Sequence, residues 1–376
     1  MKPTDPIGDA MRTAVEGGVF PGAVLLVRLR GRIAYHQAFG SAALVPAREP
    51  ASTETIYDLA SLTKPLATST AVLRLVQDRR LGVDAPLQKH VEELKGSAIG
   101  DATVYHLLTH SSGLPAWRPL YERIAEEDRR RPGLLGSPAA EGMALELIKQ
   151  EPLATPPGSR SLYSDLGFIL LGILVERVVG KSLAVHCRES VFEPMQAPLC
   201  FSGPRGTGSG YGVPPDLSRI APTEEDPWRG RLLRGEVHDE NAGALGGAAG
   251  HAGLFGTAAA VSAVVGHWLD SYVGRSHVLP PDLVRRFTAR QERIEGSSWA
   301  LGWDTPSAPS SSGSRFSPAS FGHLGYTGTS IWVDPAKELE VVLLSNRVHP
   351  TRRNEAIKQF RPLIHDLIYE ELVGKS

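Results

Sequence analysis

Residues 57–65 read Tyr57-Asp58-Leu59-Ala60-Ser61-Leu62-Thr63-Lys64-Pro65. From residue 66 to residue 80, apolar side chains recur at three- and four-residue steps, which predicts a helix over this range. Proline is compatible with the first turn of a helix but not with its interior. Pro65 therefore places Ser61 at the beginning of that helix.

Ser61 and Lys64 are three residues apart, and this spacing puts both on one face of a helix, where the amine can reach the hydroxyl. The start of a helix also offers free backbone N–H groups that can hold an oxyanion. The stretch predicts a nucleophilic serine with a lysine partner. Because Ser-x-x-Lys is a weak motif by itself, the alternative is a capping serine followed by a solvated lysine.

The composition is typical of a globular protein. The chain has 376 residues, of which 41% are hydrophobic and 22% are charged, and it is long enough for one large domain or two packed ones. Its formal net charge is −1, with both signs interspersed. This balance argues against nucleic acid and against an anionic membrane surface as partners.

Cys187 and Cys200 are the two cysteines of the chain, and we expect two buried or half-buried thiols instead of a disulfide framework. Residues 1–6 lack the apolar segment of a leader, and no apolar run is long enough to span a bilayer. We therefore expect a cytoplasmic protein, or a periplasmic one if a leader has been removed.

A second important stretch begins at Tyr163. Residues 166–179 are apolar on nearly every face, which predicts a buried helix. Ser164 or Asp165 is placed to cap that helix, so Tyr163 lies on the loop before it. Loops held by a rigid core element often display catalytic side chains.

Two groups of histidines raise the question of a metal site. His106 and His110 are predicted on one helix face, but no glutamate is interposed and no third ligand is evident, so a packed imidazole is the expectation. In the glycine-rich range 236–255, we expect hydrogen-bonded residues that shape a cavity wall. They are His238, Asp239, Asn241 and His251. We predict no metal and no cofactor.

Strands are predicted near both ends of the chain, and helices between them. The predicted strands are 23–28, 32–40, 330–333 and 339–346. This order indicates an α+β fold, an α/β sandwich whose antiparallel sheet is built from the N- and C-terminal segments and carries an inserted all-helical lobe. The predicted division is residues 1–65 plus 240–376 for the sheet domain and 66–239 for the lobe, with the active site in the cleft between them.

Three short motifs occur in order along the chain: Ser61-Leu62-Thr63-Lys64, Tyr163-Ser164-Asp165 and His323-Leu324-Gly325. Together they resemble the serine β-lactamase and penicillin-binding-protein superfamily, most closely the class C β-lactamases and family VIII esterases. The resemblance covers residues 22–346, and it implies the β-lactamase/transpeptidase-like fold.

The resemblance implies a role for each matching residue. Ser61 matches the acylated nucleophile, Lys64 its partner base, and Tyr163 a second proton-transfer group. The N–H groups of Tyr326 and Ser61 would form the oxyanion hole. We expect burial to lower the pKa of Lys64 and the ammonium to lower the pKa of Tyr163, so that the pair can take the Ser61 proton.

Two positions depart from the family pattern. Asp165 replaces an amide, so that a neutral donor becomes a charged acceptor. His323 and Gly325 match the ends of a Lys-Thr-Gly strand, but the permanent cation is absent. In this family that cation helps to hold the substrate carboxylate, so its loss argues against efficient β-lactam hydrolysis while leaving acyl transfer intact.

Three functions follow as alternatives. The first is a carboxylesterase-type serine hydrolase acting on small esters or amides. The second is a D-alanyl-D-alanine carboxypeptidase or β-lactamase acting on cell-wall peptides or β-lactams. The third is a catalytically silent ligand binder, against which the intact Ser61, Lys64 and Tyr163 argue. The predicted partner is a small ester, amide or peptide substrate; the sequence does not indicate the oligomeric state.

Overall fold

The computed structural model describes residues 5–203 and 216–374. Eleven α-helices lie in this part of the chain. They are α1 (Pro6–Glu16), α2 (Thr70–Gln77), α3 (Val104–Leu108), α4 (Leu120–Arg130), α5 (Pro138–Lys149), α6 (Asp165–Val179), α7 (Leu183–Cys187), α8 (Glu240–Ala244), α9 (Ala258–Tyr272), α10 (Pro281–Thr288) and α11 (Ile357–Leu372).

The same described residues contain eleven strands, several of which are only two residues long. They are β1 (Gly22–Leu29), β2 (Arg32–Ala43), β3 (Glu49–Pro50), β4 (Tyr57–Asp58), β5 (Cys200–Phe201), β6 (Glu225–Asp226), β7 (Arg231–Leu232), β8 (Leu254–Gly256), β9 (Phe321–Leu324), β10 (Ser330–Asp334) and β11 (Leu339–Ser345).

The main sheet has six antiparallel strands in the order β3-β2-β1-β11-β10-β9. Its central pair joins the two ends of the chain, because β1 lies beside β11 with Leu25 opposite Leu343. The prediction that the N- and C-terminal segments build one antiparallel sheet is confirmed, as is the α+β fold class.

The sheet buries both of its faces. Side chains alternate along β1: Val24 and Leu26 belong to the large core under the inserted helices, and Leu25 and Val27 to a second core. Helix α9 packs on the first face, against β1 and β11. Helices α1 and α11 contact each other and contribute to the second core.

Helix α6 is the buried helix predicted from its all-round apolar sequence. Residues 166–175 are all buried. The glycine-rich segment passes close to it, since a Cβ on Gly250 would lie 2.0 Å from the carbonyl oxygen of Phe168. Only glycine permits this approach, which explains part of the unusual composition of residues 236–255.

The prediction that His106 and His110 lie on one face of a helix is wrong. Helix α3 ends at Leu108, and His110 lies beyond it in a left-handed conformation with φ of 53°. His106 instead folds back on the helix start, where its Nδ1 accepts a hydrogen bond of 3.1 Å from the Thr103 N–H. The chain leaves the helix before the second histidine, so the two imidazoles do not lie one turn apart on a helix.

The predicted loops are partly confirmed. Residues 307–320 contain no helix or strand. Of the loop predicted at 201–232, residues 204–215 lie outside the described residues, and the remainder includes the short β6–β7 hairpin. Cys187 is buried and Cys200 half-buried, and both are free thiols, as predicted.

Candidate active site

Ser61 follows a strained turn. Ala60 has φ of 47°, a left-handed conformation that is unfavourable for a residue with a Cβ. The buried carboxylate of Asp58 holds this turn by accepting hydrogen bonds from the N–H groups of Ala60, at 2.8 Å, and His238, at 2.7 Å. The helix then runs through a wide π-helical turn over Lys64–Ser69 before α2 begins. Single π turns are frequent at functional sites.

Lys64 is completely buried beneath Ser61. Its Nζ donates hydrogen bonds to Ser61 Oγ at 3.0 Å, to Asp165 Oδ1 at 2.7 Å and to the carbonyl oxygen of His251 at 3.1 Å. An ammonium has three protons, and these three acceptors use all of them. The solvated lysine considered as an alternative is therefore excluded.

Tyr163 approaches Ser61 from the other side. Its hydroxyl lies 2.9 Å from Ser61 Oγ and donates a hydrogen bond to it. Ser164 caps α6, as one of the two predicted candidates: its Oγ accepts from the Gly167 N–H and donates to the carbonyl oxygen of Pro115 at 2.7 Å. This cap fixes the loop that carries Tyr163.

The pKa values of the pair differ from the expectation. Burial acts to lower the pKa of the Lys64 ammonium, but the nearby Asp165 and Tyr163 outweigh it, and the pKa lies above its usual value. Burial raises the pKa of the Tyr163 phenol, and Lys64 offsets this only in part. In the resting site, Lys64 is therefore an ammonium and Tyr163 a neutral phenol. The expected lowering of both pKa values is wrong: the pKa of Tyr163 is raised mainly by its own burial, and that of Lys64 is raised mainly by the charge of Asp165.

An aromatic wall surrounds Tyr163. Its ring lies 4.6 Å from that of His110, 5.6 Å from that of Trp299 and 6.1 Å from that of His323, between centroids. His110 Nδ1 accepts a hydrogen bond from the Ser164 N–H at 3.1 Å, which orients the ring. The packed imidazole expected from the sequence is confirmed at His110. The sequence did not indicate its contact with Tyr163, and no motif marks Trp299.

Both buried imidazoles are neutral. Burial, followed by the charge of Lys64, lowers the pKa of His323 to about 3 and places the pKa of His110 well below its ordinary value. His323 therefore supplies no positive charge at neutral pH. It differs in this from the lysine of the Lys-Thr-Gly strand whose position it takes.

The turn that follows β9 is fixed to the Ser61 segment. Thr327 Oγ1 donates to the carbonyl oxygen of Asp58 at 2.7 Å, and Thr329 Oγ1 donates to that of Leu59 at 3.0 Å. A Cβ on Gly325 would lie 2.7 Å from the Leu59 oxygen. The turn that carries Tyr326 thus lies directly against the backbone that precedes Ser61.

A hydrogen-bonded wall that includes His238 and Asp239 lines another part of the cleft. His251 Nε2 lies 2.8 Å from Asp239 Oδ1, and His238 Nε2 lies 2.9 Å from Glu224 Oε2. His251, followed by the Ala242 N–H, lowers the pKa of Asp239 despite its burial. Asn241 bonds to backbone groups of neighbouring segments and is part of the same wall. Within residues 5–203 and 216–374, no three His, Cys, Asp or Glu side chains are grouped to hold a metal ion.

The cleft above Ser61 has a volume of ≈ 610 Å³. It brings together six of the seven residues predicted for the site, and Lys64 lies directly under them. The six are Ser61, Tyr163, Asp165, His323, Gly325 and Tyr326. Among the helices of the described residues, none is both long and apolar enough to cross a membrane.

The chain is similar to known proteins in both sequence and fold. A relative from Escherichia coli (strain K12), named as a putative D-alanyl-D-alanine carboxypeptidase, is 31% identical over 359 residues, which are 88% of this chain and 79% of the relative. The solved structure of EstCE1, described as a hydrolase with promiscuous acyltransferase activity, has a TM-score of 0.71 at 22% identity, over 96% of this chain and 97% of EstCE1.

The unliganded simvastatin synthase LovD from Aspergillus terreus also has a TM-score of 0.71, at 20% identity, over 99% of both chains. At these identities the two structures show the fold alone. The Beta-lactamase family model matches residues 7–364, which is nearly the whole chain. The chain therefore belongs to the beta-lactamase family of serine hydrolases.

Proposed function

We propose that this protein hydrolyses small esters or amides through an acyl-enzyme on Ser61, in the manner of a carboxylesterase. One observation carries the proposal: Ser61 Oγ lies 3.0 Å from Lys64 Nζ and 2.9 Å from the Tyr163 hydroxyl. A serine hydroxyl is a weak nucleophile, and these are the two side chains that can accept its proton.

The reaction begins when the Lys64–Tyr163 pair loses one proton. The deprotonated pair then takes the Ser61 proton as Oγ attacks the acyl carbon. The N–H groups of Ser61 and Tyr326 hold the oxyanion that forms. Collapse of this intermediate breaks the bond to the leaving group, which takes the proton from the pair. Water repeats the sequence and releases the acid.

The ester preference rests on the charge of the site. With a neutral His323 in place of a lysine, the strand β9 offers no cation to a substrate carboxylate. A neutral acyl substrate does not need one. The rings of Tyr163 and Trp299, which line the cleft, also favour an apolar acyl group.

A D-alanyl-D-alanine carboxypeptidase is the second candidate. It is favoured by the name of the Escherichia coli relative and by two buried arginines in the cleft, Arg347 and Arg361. A guanidinium is well suited to bind a peptide carboxylate.

The test compares three substrates on one preparation: a p-nitrophenyl ester of a short acid, a peptide ending in D-Ala-D-Ala, and nitrocefin. We expect turnover of the ester that is at least ~10³-fold slower in Ser61→Ala, since the nucleophile is removed. Faster release of D-Ala than of nitrophenol, measured as kcat/KM, would support the second candidate. A Ser61→Ala variant that retains wild-type turnover would contradict both.

A further inference from the structure

Arg361 is a buried cation that has no acidic partner among residues 5–203 and 216–374. It lies in α11, is only 5% exposed and borders the cleft. No carboxylate in the described part of the chain forms an ion pair with it. By contrast, Arg352, which also borders the cleft, is paired with Glu224 and Glu240. Buried charges are normally paired, so an unpaired arginine at this position requires an explanation.

The guanidinium of Arg361 is bonded to the turn between β9 and β10. Its Nη2 donates to the carbonyl oxygen of Thr329 at 2.8 Å and to that of Gly325 at 3.2 Å. The Thr329 oxygen also accepts from the Gly325 N–H at 2.7 Å. Arg361 therefore closes the base of this turn.

The Gly325 carbonyl belongs to the peptide group that carries the Tyr326 N–H. A cation that is hydrogen-bonded to a peptide oxygen polarises the whole group and makes its N–H a stronger donor. The effect is larger where water is excluded, as it is around Arg361. Burial, followed by the neighbouring Arg347, lowers the pKa of Arg361 to about 9, so it remains a cation at neutral pH.

We propose that Arg361 is a positioning residue for the oxyanion hole: it fixes the Gly325–Tyr326 peptide and polarises the Tyr326 N–H toward the reacting carbonyl oxygen. This inference rests on the proposed function. Negative charge develops on that oxygen only as Ser61 attacks, so the contribution of Arg361 is greater in the transition state than in the bound substrate.

The test measures kcat and KM for a neutral oxygen ester, its thionoester and an ester that carries a carboxylate, together with the affinity of phenylboronic acid and the thermal unfolding midpoint. The variants are Arg361→Met, which removes the charge, and Arg361→Lys, which keeps it. The control is Arg315→Gln. It breaks an exposed ion pair between a loop residue and Glu370, which lies on α11 as Arg361 does. Phenylboronic acid forms a tetrahedral adduct with a reactive serine and therefore reports on the oxyanion hole.

For Arg361→Met we expect kcat to fall ~10- to 100-fold on the oxygen ester with KM within about two-fold, which is less than the loss of a direct oxyanion donor. The thionoester should lose less, because sulfur accepts hydrogen bonds weakly. Boronate affinity should fall in parallel with kcat. Arg361→Lys should recover part of kcat with the same preference between the two esters. If Arg361→Met does not fold, the test uses Arg361→Lys, for which we expect an intermediate loss of kcat on the oxygen ester.

If turnover depends on Ser61, three results would overturn this inference while leaving the proposed function intact. They are wild-type kcat and boronate affinity in Arg361→Met, equal losses on the two esters together with a lowered unfolding midpoint, and an increase in KM confined to anionic substrates. The last would make Arg361 a receptor for a substrate carboxylate. If the wild-type protein neither hydrolyses the esters nor binds the boronate, the proposed function itself fails, and the inference with it.

Discussion

The environment of Lys64 is the feature of individual residues that most affects the chemistry. Its ammonium is bonded to Ser61, Asp165 and the backbone of His251. The sequence predicted the contact between Ser61 and Lys64, because the geometry of a helix is local. It did not predict the ion pair with Asp165, since that contact joins residues 101 positions apart.

Replacing Asp165 by Asn should shift the pH dependence of kcat/KM to lower pH. The Asp165 carboxylate acts to raise the pKa of both Lys64 and Tyr163, so its removal lowers both. One of the two must be deprotonated for attack, and activity rises as pH passes the pKa of the pair. The midpoint of that rise should therefore fall by about one pH unit.

The matched control is Glu355→Gln, which removes an exposed carboxylate that is paired with Lys358. Its midpoint should remain at the wild-type value. A midpoint for Asp165→Asn that is unchanged, or that moves to higher pH, would show that Asp165 does not set the charge of the pair.

At the level of secondary-structure elements, α6 shows what periodicity can predict. Its apolar sequence predicted burial, which is confirmed, and of the two predicted caps, Ser164 and Asp165, the structure has Ser164. The short helix α10 was not predicted, although Leu283, Val284 and Phe287 lie at helical spacing within it. Nor did the sequence indicate the π turn before α2, since it departs from regular helical spacing.

Helix α6 also carries a buried carboxyl group whose titration should be measurable. Glu176 accepts a hydrogen bond from the Leu183 N–H at 2.6 Å. Burial, followed by a hydrogen bond with Glu141, raises the pKa of Glu176 from 4.5 to about 8. The folded protein therefore holds this proton more tightly than the unfolded chain, and the stability linked to it is lost as pH rises from about 4.5 to about 8.

A Glu176→Gln variant keeps the shape and the hydrogen bonds but does not titrate. We expect its unfolding midpoint, relative to wild type, to increase steadily between pH 5 and pH 8. Glu146→Gln on α5 is the control, because its exposed ion pair with Lys149 contributes little at any pH. A Glu176→Gln difference that is independent of pH would contradict the raised pKa.

For the whole molecule, the order of strands and helices was sufficient to predict the terminal sheet and the inserted helices. The division into residues 1–65 plus 240–376 and 66–239 stays a prediction. One short sheet joins the two predicted parts, because β5 from the range 66–239 pairs with β8 from the range 240–376. The partners of two-residue strands depend on the final packing, so periodicity does not reveal them.

The two cores of the molecule should separate stability from catalysis. Leu25 is fully buried in the core formed with α1 and α11, on the sheet face away from the large core. Leu25→Ala should reduce the free energy of unfolding by about 2–5 kcal/mol, because it leaves a cavity. Denaturant unfolding measures this change, and kcat of the folded enzyme should stay within about two-fold of wild type. A large fall in kcat at full folding would link this core to the site.

The most direct test of the central claim is covalent capture of the nucleophile. The protein is incubated with a fluorophosphonate, and the adduct is located by intact-mass and peptide mass spectrometry. We predict one adduct, on Ser61, that is absent in Ser61→Ala and forms at least ~10-fold more slowly in Lys64→Met. No adduct on the wild-type protein, or labelling of Ser61→Ala at the wild-type rate, would contradict the account.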